Sequence, residues 1–252
     1  MLKVETNGPI CTLTLNRPEV RNALSDHLIE ELCQAFLNLP PTIRAVVLTG
    51  EGSAFCAGGD LEWMKRAAGY TEEQNFQDAV RLAVLFETIA TCRPVVIAKV
   101  NGHAFGGGVG LVAACDVAIS SQDALYSFSE VKLGLVAATI SRYVVPKIGQ
   151  GHARHLFSTG DVFKANRAYD IGLVHDVAPL DQLDDLIKSK IKAVLAAGPE
   201  AVHASKLLAL NPAVEADDGA RLLAARRSNP EAQEGIAAFL EKRKASFVEE
   251  LP

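Results

Sequence analysis

Two glycine-rich segments constrain this chain more than any other feature. They are Phe55-Cys56-Ala57-Gly58-Gly59-Asp60-Leu61 and Val100-Asn101-Gly102-His103-Ala104-Phe105-Gly106-Gly107-Gly108-Val109-Gly110-Leu111. Each follows a short β-branched run, residues 45–49 and 95–100, that reads as a buried strand, and each leads into a helix-like segment. Glycine lets backbone approach a ligand closely. The first N–H groups of a helix lack intrahelical acceptors and can face developing negative charge. Two such turns facing one another would form a two-donor oxyanion hole. A single turn of this kind is usually a tight connection. The pair, in one repeated context, points to a site.

The flanking sequence reads as alternating strands and helices. Residues 2–15 predict a β-hairpin turning at Asn7-Gly8, with Cys11, Leu13 and Leu15 on one face. Ser25 caps a helix carrying Leu28, Leu32, Ala35, Phe36 and Leu39, which Pro40-Pro41 ends. A long helix spans 72–92, and a strand covers 116–119. Strands separated by helices predict an α/β fold with parallel pairing. Beyond residue 197 the strand signals stop. Segments 199–210, 215–228 and 231–247 read as helices, broken at Asn211-Pro212 and Asn229-Pro230.

At 252 residues the chain can bury a full core. A net charge of −5 argues against a broad nucleic-acid surface. The five cysteines include no C-x-x-C pair, so neither a zinc site nor a disulfide framework is indicated. No apolar run reaches the length of a membrane span and no signal-peptide pattern is read at residue 1, so a soluble cytoplasmic protein without membrane or nucleic-acid partners is expected.

Glu130 is the candidate proton carrier. It sits among Tyr126, Phe128, Val131, Leu133 and Leu135, surroundings that disfavour its charged form and raise its pKa. The plainer reading is a turn glutamate paired with Lys132. Asp60 reads first as a helix cap, Asp116 as structural, and His103 as a hydrogen-bonding residue. Trp63 and Met64 could wall a pocket or pack in the core. Glu241-Lys242-Arg243-Lys244 reads as a basic cluster on the last helix, either solvated or placed for phosphate; Arg17 and Arg21 carry the same ambiguity.

These segments together resemble the crotonase, or enoyl-CoA hydratase/isomerase, family. The resemblance runs from Leu15-Asn16-Arg17-Pro18 and Asn22-Ala23-Leu24 through both glycine segments and Cys115-Asp116. It continues through Ser129-Glu130-Val131-Lys132-Leu133-Gly134-Leu135 to Ala238-Phe239-Leu240-Glu241-Lys242-Arg243-Lys244. It implies a crotonase-like spiral of β-β-α units over residues 1–197, then a helical trimerisation or lid region over 198–252, assembled as a homotrimer or homohexamer. It implies an acyl-CoA thioester substrate, with coenzyme A as part of that substrate and no further cofactor or metal. The oxyanion donors would be the N–H groups of Gly59 and Gly107, with Glu130 as the acid–base group. Coenzyme A would lie along Val20, Arg21 and Ala57, with Leu223 and Lys242 contributing from the C-terminal region. Asp60, Trp63 and Ala138 complete the expected substrate contacts.

The departures from the family pattern are specific. Hydratases of the family carry two glutamates that hold one water. Glu130 falls at the second of those positions, and Gly110 at the first. Ala137-Ala138-Thr139-Ile140-Ser141 replaces the expected Pro-Gly-Gly stretch, and Glu62 stands where a lysine often meets coenzyme A phosphate. Phe105 to Leu111, Ser129 to Leu135 and Ile140-Ser141 resemble a bacterial subgroup that includes methylglutaconyl-CoA hydratases. The expectation is hydration of a 2-enoyl-CoA, branched glutaconyl-CoA included. The alternatives are isomerisation by the single Glu130, decarboxylation, or acyl-CoA binding without catalysis.

Overall fold

The computed structural model describes residues 1–211 and 213–252; Pro212, read above as part of a helix break, lies outside the described residues. The chain opens with the expected hairpin, β1 (Leu2–Asn7) and β2 (Ile10–Leu15), with Asn7 opposite Ile10 and Gly8 in the left-handed region. Cys11, Leu13 and Leu15 are buried, and the Ser25 side chain accepts from the Leu28 N–H at the start of α1 (Asp26–Leu37).

A β-β-α unit then repeats. β3 (Ala45–Gly50) and β4 (Ala54–Cys56) precede α2 (Leu61–Ala67) and α3 (Glu72–Thr91). β5 (Val95–Val100) and β6 (His103–Phe105) precede α4 (Gly107–Ala114). β7 (Val117–Ser121) and β8 (Leu125–Ser127) precede a 3₁₀ turn at Ser129–Leu133 and α5 (Ala138–Thr159). β9 (Phe163–Lys164), α6 (Ala165–Asp170), β10 (Asp176–Ala178) and α7 (Leu183–Leu195) close this part. In each unit the long first strand enters a six-stranded sheet ordered β1-β2-β3-β5-β7-β10, and the short second strand enters a four-stranded sheet ordered β4-β6-β8-β9. This is the α/β architecture expected from the sequence.

β3 and β5 are buried almost throughout, as parallel strands covered on both faces must be. The main core packs α1, α3, α4 and α5 against one face through Leu28, Leu32, Phe86, Leu111 and Ile140. On the other face α7 lays Leu183, Ile187, Ile191 and Leu195 over Ala45, Val47, Val95 and Ile97.

Three helices follow, α8 (Pro199–Leu210), α9 (Ala216–Arg227) and α10 (Pro230–Leu240). Several polar ties join this C-terminal region to the core, an Arg93–Glu200 ion pair among them, and two of them rest on buried cations. Buried Lys206 of α8 meets Asp116 at 2.8 Å, and Asp116 also accepts from the Val96 N–H at 2.7 Å. Buried Arg44 donates to the Phe247 carbonyl at 3.1 Å, to Glu249 at 3.0 Å, and to the carbonyls of Val194 and Ala197.

Two expectations are corrected. The glycine segments do not follow the long strands directly, because β4 and β6 intervene and carry the chain into the second sheet. The last helix ends at Leu240, not 247. Lys242 takes a positive φ of 54°, and the Arg243 N–H returns to the Ala238 carbonyl, a helix-terminating turn. The basic cluster therefore lies beyond the helix. Among the described residues no helix is long and apolar enough to cross a membrane.

Candidate active site

The small sheet assembles the site. β4, β6 and β8 are neighbouring parallel strands, with Cys56 beside Ala104 and Phe105 beside Ser127. Adjacent strands lie about 4.8 Å apart, so their C-terminal ends bring three turns within about 10 Å. β4 delivers Gly58-Gly59, β6 delivers Gly106-Gly107, and β8 delivers Glu130.

The contacts confirm that convergence. Gly58, at φ +91°, approaches the next turn so closely that a Cβ would stand 2.9 Å from the Phe105 carbonyl oxygen. Gly106, at φ +49°, faces Glu130, whose Oε1 lies 3.4 Å from where a Cβ would be. Both positions require glycine.

The donors are oriented by their neighbours' bonds. Leu24 pairs with Gly59 in a parallel bridge, donating to the Gly58 carbonyl at 2.7 Å and accepting from the Asp60 N–H at 2.9 Å. That pairing consumes the groups on either side of Gly59 and turns its own N–H the other way. Gly107 is the first residue of α4, and its N–H is one of the four a helix leaves unpaired. Among the described residues neither N–H meets a protein acceptor.

Glu130 stands in the first turn of the 3₁₀ segment, which Gly134 ends in the left-handed region. Its Oε2 is buried and, among the described residues, has no hydrogen-bond partner. Burial pushes its carboxyl above the usual range, and a hydrogen bond from its own backbone N–H opposes this only in part. It forms no ion pair with Lys132, whose stem lies over Gly160.

Asp60 is fully engaged. Oδ1 accepts from the N–H groups of Glu62 at 2.9 Å and Trp63 at 3.2 Å, the N-cap of α2. Oδ2 meets Arg17 at 2.8 Å, with both side chains largely buried. Burial would raise this carboxyl, but the Arg17 hydrogen bond and the two backbone amides together hold it below the usual carboxylate range.

The other predicted residues divide into groups. Arg21 is exposed, with φ 53°, and its carbonyl accepts from the Ala57 N–H at 3.0 Å, so Val20, Arg21 and Ala57 are brought together. Trp63 and Met64 press on Gly59. Ala138 begins α5. Leu223 lines a groove of about 560 Å³ among α8, α9 and α10, away from the three turns. Lys242 lies beyond α10; its neighbours Arg243 and Lys244 pair with Glu234, Glu241 and Glu250. Glu62 pairs with Lys65 at 2.6 Å. His103 accepts from the Leu125 N–H at 3.1 Å, a structural role.

Sequence reasoning missed three side chains. A Cβ on Gly110 would stand 2.3 Å from Ile140 Cγ2 and 2.8 Å from Phe86 Cζ. Apolar groups from α5 and α3 thus fill the space beside Gly110, and no carboxylate lies there. Buried Asp78 accepts from the Trp63 indole N–H at 3.2 Å. Its signal was available, since it falls in helical phase with Leu82, Leu85, Phe86 and Ile89.

A spiral of β-β-α units, with long strands in one sheet and short strands in another, defines the crotonase architecture. The chain belongs to the enoyl-CoA hydratase/isomerase family, whose model matches residues 5–250. It is 33% identical to the crotonyl-CoA hydratase of Syntrophomonas wolfei, over 97% of this chain and 96% of that protein. Among solved structures, Pseudomonas aeruginosa AtuE superposes with a TM-score of 0.94 at 33% identity, over 98% of this chain and 99% of that one. An enoyl-CoA hydratase from Shewanella pealeana superposes with a TM-score of 0.93 at 33% identity, over 97% and 95% of the two chains.

Proposed function

We propose that this chain is an enoyl-CoA hydratase-type lyase in which Glu130 alone handles the proton. One observation carries the reading: the Gly58-Gly59 turn touches the Phe105-Gly106 turn, and Gly106 faces the Glu130 carboxyl. The N–H groups of Gly59 and Gly107 hold the thioester oxygen as it gains enolate charge, and the α4 dipole adds to that stabilisation. An O–H bond of water breaks and its oxygen bonds to C3. The π pair moves toward the thioester, and a proton reaches C2. Glu130 takes the proton from water and gives one to C2, ending the cycle as it began. A carboxyl raised by burial is suited to both transfers.

Coenzyme A lies along Val20, Arg21 and Ala57, with Lys242 and Leu223 supplied from the C-terminal region of a neighbouring subunit, since Leu223 lies away from the turns of its own chain, and Trp63 and Ala138 flank the acyl group. Within this reading a branched glutaconyl-CoA is a favoured substrate class, because its distal carboxylate offers the water an anchor that Gly110 lacks. Residues 198–252 form the oligomerisation region of a homotrimer or homohexamer, supported by the exposed Leu223, Ile236, Phe239 and Leu240; sedimentation velocity tests this.

Isomerisation of a 3-enoyl to a 2-enoyl thioester is the second reading. The filled space beside Gly110 favours it, since one carboxylate suffices to remove a proton and return it elsewhere. Product mass over a panel of enoyl- and glutaconyl-CoA thioesters separates the two. Gain of one water supports the lyase, an unchanged mass with a moved double bond the isomerase, and loss of carbon dioxide would overturn both. Glu130→Gln should lower kcat by about 10²–10⁴-fold. The same variant has a stability signature. Stabilisation by a carboxyl whose folded pKa is raised is full below the unfolded value and is lost as pH rises through the folded one. The wild type should therefore lose stability relative to Glu130→Gln between acid and neutral pH.

A further inference from the structure

We infer that Asp78 is a positioning residue for the Gly59 turn, acting through Trp63. The inference rests on reading Gly59 as an oxyanion donor. α2 buries none of its own residues, and its inward contacts are made by Trp63 and Met64. Trp63 Cζ3 lies 3.7 Å, and Met64 Sδ 3.3 Å, from where a Cβ on Gly59 would stand. The indole and the thioether therefore close the side of Gly59 that its lack of a side chain leaves open.

The indole is fixed from behind. Its N–H donates to Asp78 Oδ1 at 3.2 Å, and Asp78 is only 9% exposed. An indole has one donor and no acceptor, so this bond to a carboxylate directs the N–H, and with the ring's packing against the core it holds the indole in place. Asp78 belongs to α3, whose buried stripe continues through Leu85, Phe86 and Ile89 into the main core. Asp78 thus ties a lightly anchored helix to a rigid one, at the residue that touches the donor turn. Its other partner, Arg81, stands 3.7 Å away and is largely exposed. Releasing the indole frees the Gly59 turn to shift, and misplacing a catalytic group by about 1 Å can cost about 10²-fold in rate.

Trp63 is the only tryptophan in the chain, so intrinsic fluorescence reports this contact directly. The test compares wild type, Asp78→Asn, Asp78→Leu, Trp63→Phe and the double variant Trp63→Phe/Asp78→Leu. Readouts are emission without ligand, emission on titrating butyryl-CoA (a saturated, unreactive thioester), and kcat and KM on crotonyl-CoA. Asp78→Leu should shift the ligand-free emission and lower kcat/KM at least tenfold, while Asp78→Asn, which keeps an acceptor, restores most of both. Trp63→Phe keeps an aromatic ring without the N–H and, having lost the fluorescent reporter, is compared by kinetics alone: its kcat/KM should match that of Asp78→Leu, with the double variant no worse than either single one. Should Asp78→Leu fail to fold, Trp63→Phe and Asp78→Asn still carry the kinetic comparison. Arg81→Met should leave all readouts unchanged.

Wild-type emission and kinetics in Asp78→Leu would overturn the inference, as would additive losses in the double variant. If wild type gave no response to butyryl-CoA and no turnover of crotonyl-CoA or of the glutaconyl-CoA thioesters of the panel, the thioester reading would fail. Ligand-free emission would still decide whether Asp78 fixes the indole.

Discussion

α4 and α2 both begin at a glycine turn whose N–H is proposed to meet the thioester oxygen, yet the two helices are held by opposite means. From Gly108 to Ala114 every residue of α4 is buried, wedged among β4, α3 and α5. α2 has no fully buried residue; it is held by the half-buried Trp63 against the core, the Asp60 cap, the Trp63 indole bond and an Arg66–Asp26 pair at 3.0 Å. One donor is thus fixed by packing that leaves no room for a methyl group. The other is fixed by a few directed polar contacts and the packing of one half-buried indole and one thioether. Damage to the first should cost the most folding stability, and damage to the second less stability but also activity.

The largest expected effect breaks the packed side. A Cβ on Gly108 would stand 2.2 Å from the Cys56 carbonyl oxygen, and one on Gly110 would stand 2.3 Å from Ile140. Gly108→Ala and Gly110→Ala should each cost about 3 kcal/mol, or a fall in Tm of about 6–12 °C. Thermal unfolding reads this; a change within error would mean that α4 is as yielding as α2.

Next comes the polar side. Asp60→Ala removes a helix cap and takes the ion partner from the largely buried Arg17, which keeps its bond to the Ala23 carbonyl, at a cost of about 2 kcal/mol. The Asp60 carboxyl is held below its usual range, so its stabilisation is present above the unfolded pKa and lost as pH falls through the folded one. The gap between wild type and variant, followed by denaturant unfolding, should therefore narrow in acid. A gap independent of pH would show that the cap and ion pair contribute little.

The smallest effect sharpens the contrast. Glu62→Lys, on the exposed face of α2, should move stability by no more than about 0.5 kcal/mol. The same change should lower KM for a CoA thioester several-fold at low salt by adding a cation, and that gain should fade as salt screens it. An unchanged KM would mean that α2 does not meet the phosphates.

Local chemistry made much of this legible in the sequence. Asn7-Gly8, the Ser25 and Asp60 caps, and the prolines around residues 40, 94 and 230 mark element ends because each acts through its own backbone. The short strands β4 and β6 escaped, since runs of three residues carry no period to read. Glu130 stood out as a carboxylate among apolar neighbours in sequence. The filling of the space beside Gly110 did not, because residues 86, 110 and 140 meet only through tertiary packing. The end of α10 was misjudged because Lys242 adopts a left-handed conformation that its residue type does not announce.

Arg44 has a kinetic meaning as well as a structural one. Its bond to the Phe247 carbonyl closes a loop of 203 residues. The entropy of closing a loop rises slowly with length, so such a contact is affordable at equilibrium. In time it is expensive, because chains rich in distant contacts fold slowly and form their nearer ones first. A clasp made after the folding barrier adds to the barrier for unfolding and leaves the rate of folding almost untouched. Arg44→Met should therefore speed unfolding and leave the folding rate almost unchanged in stopped-flow kinetics; a slowed folding limb would place the clasp inside the folding nucleus instead.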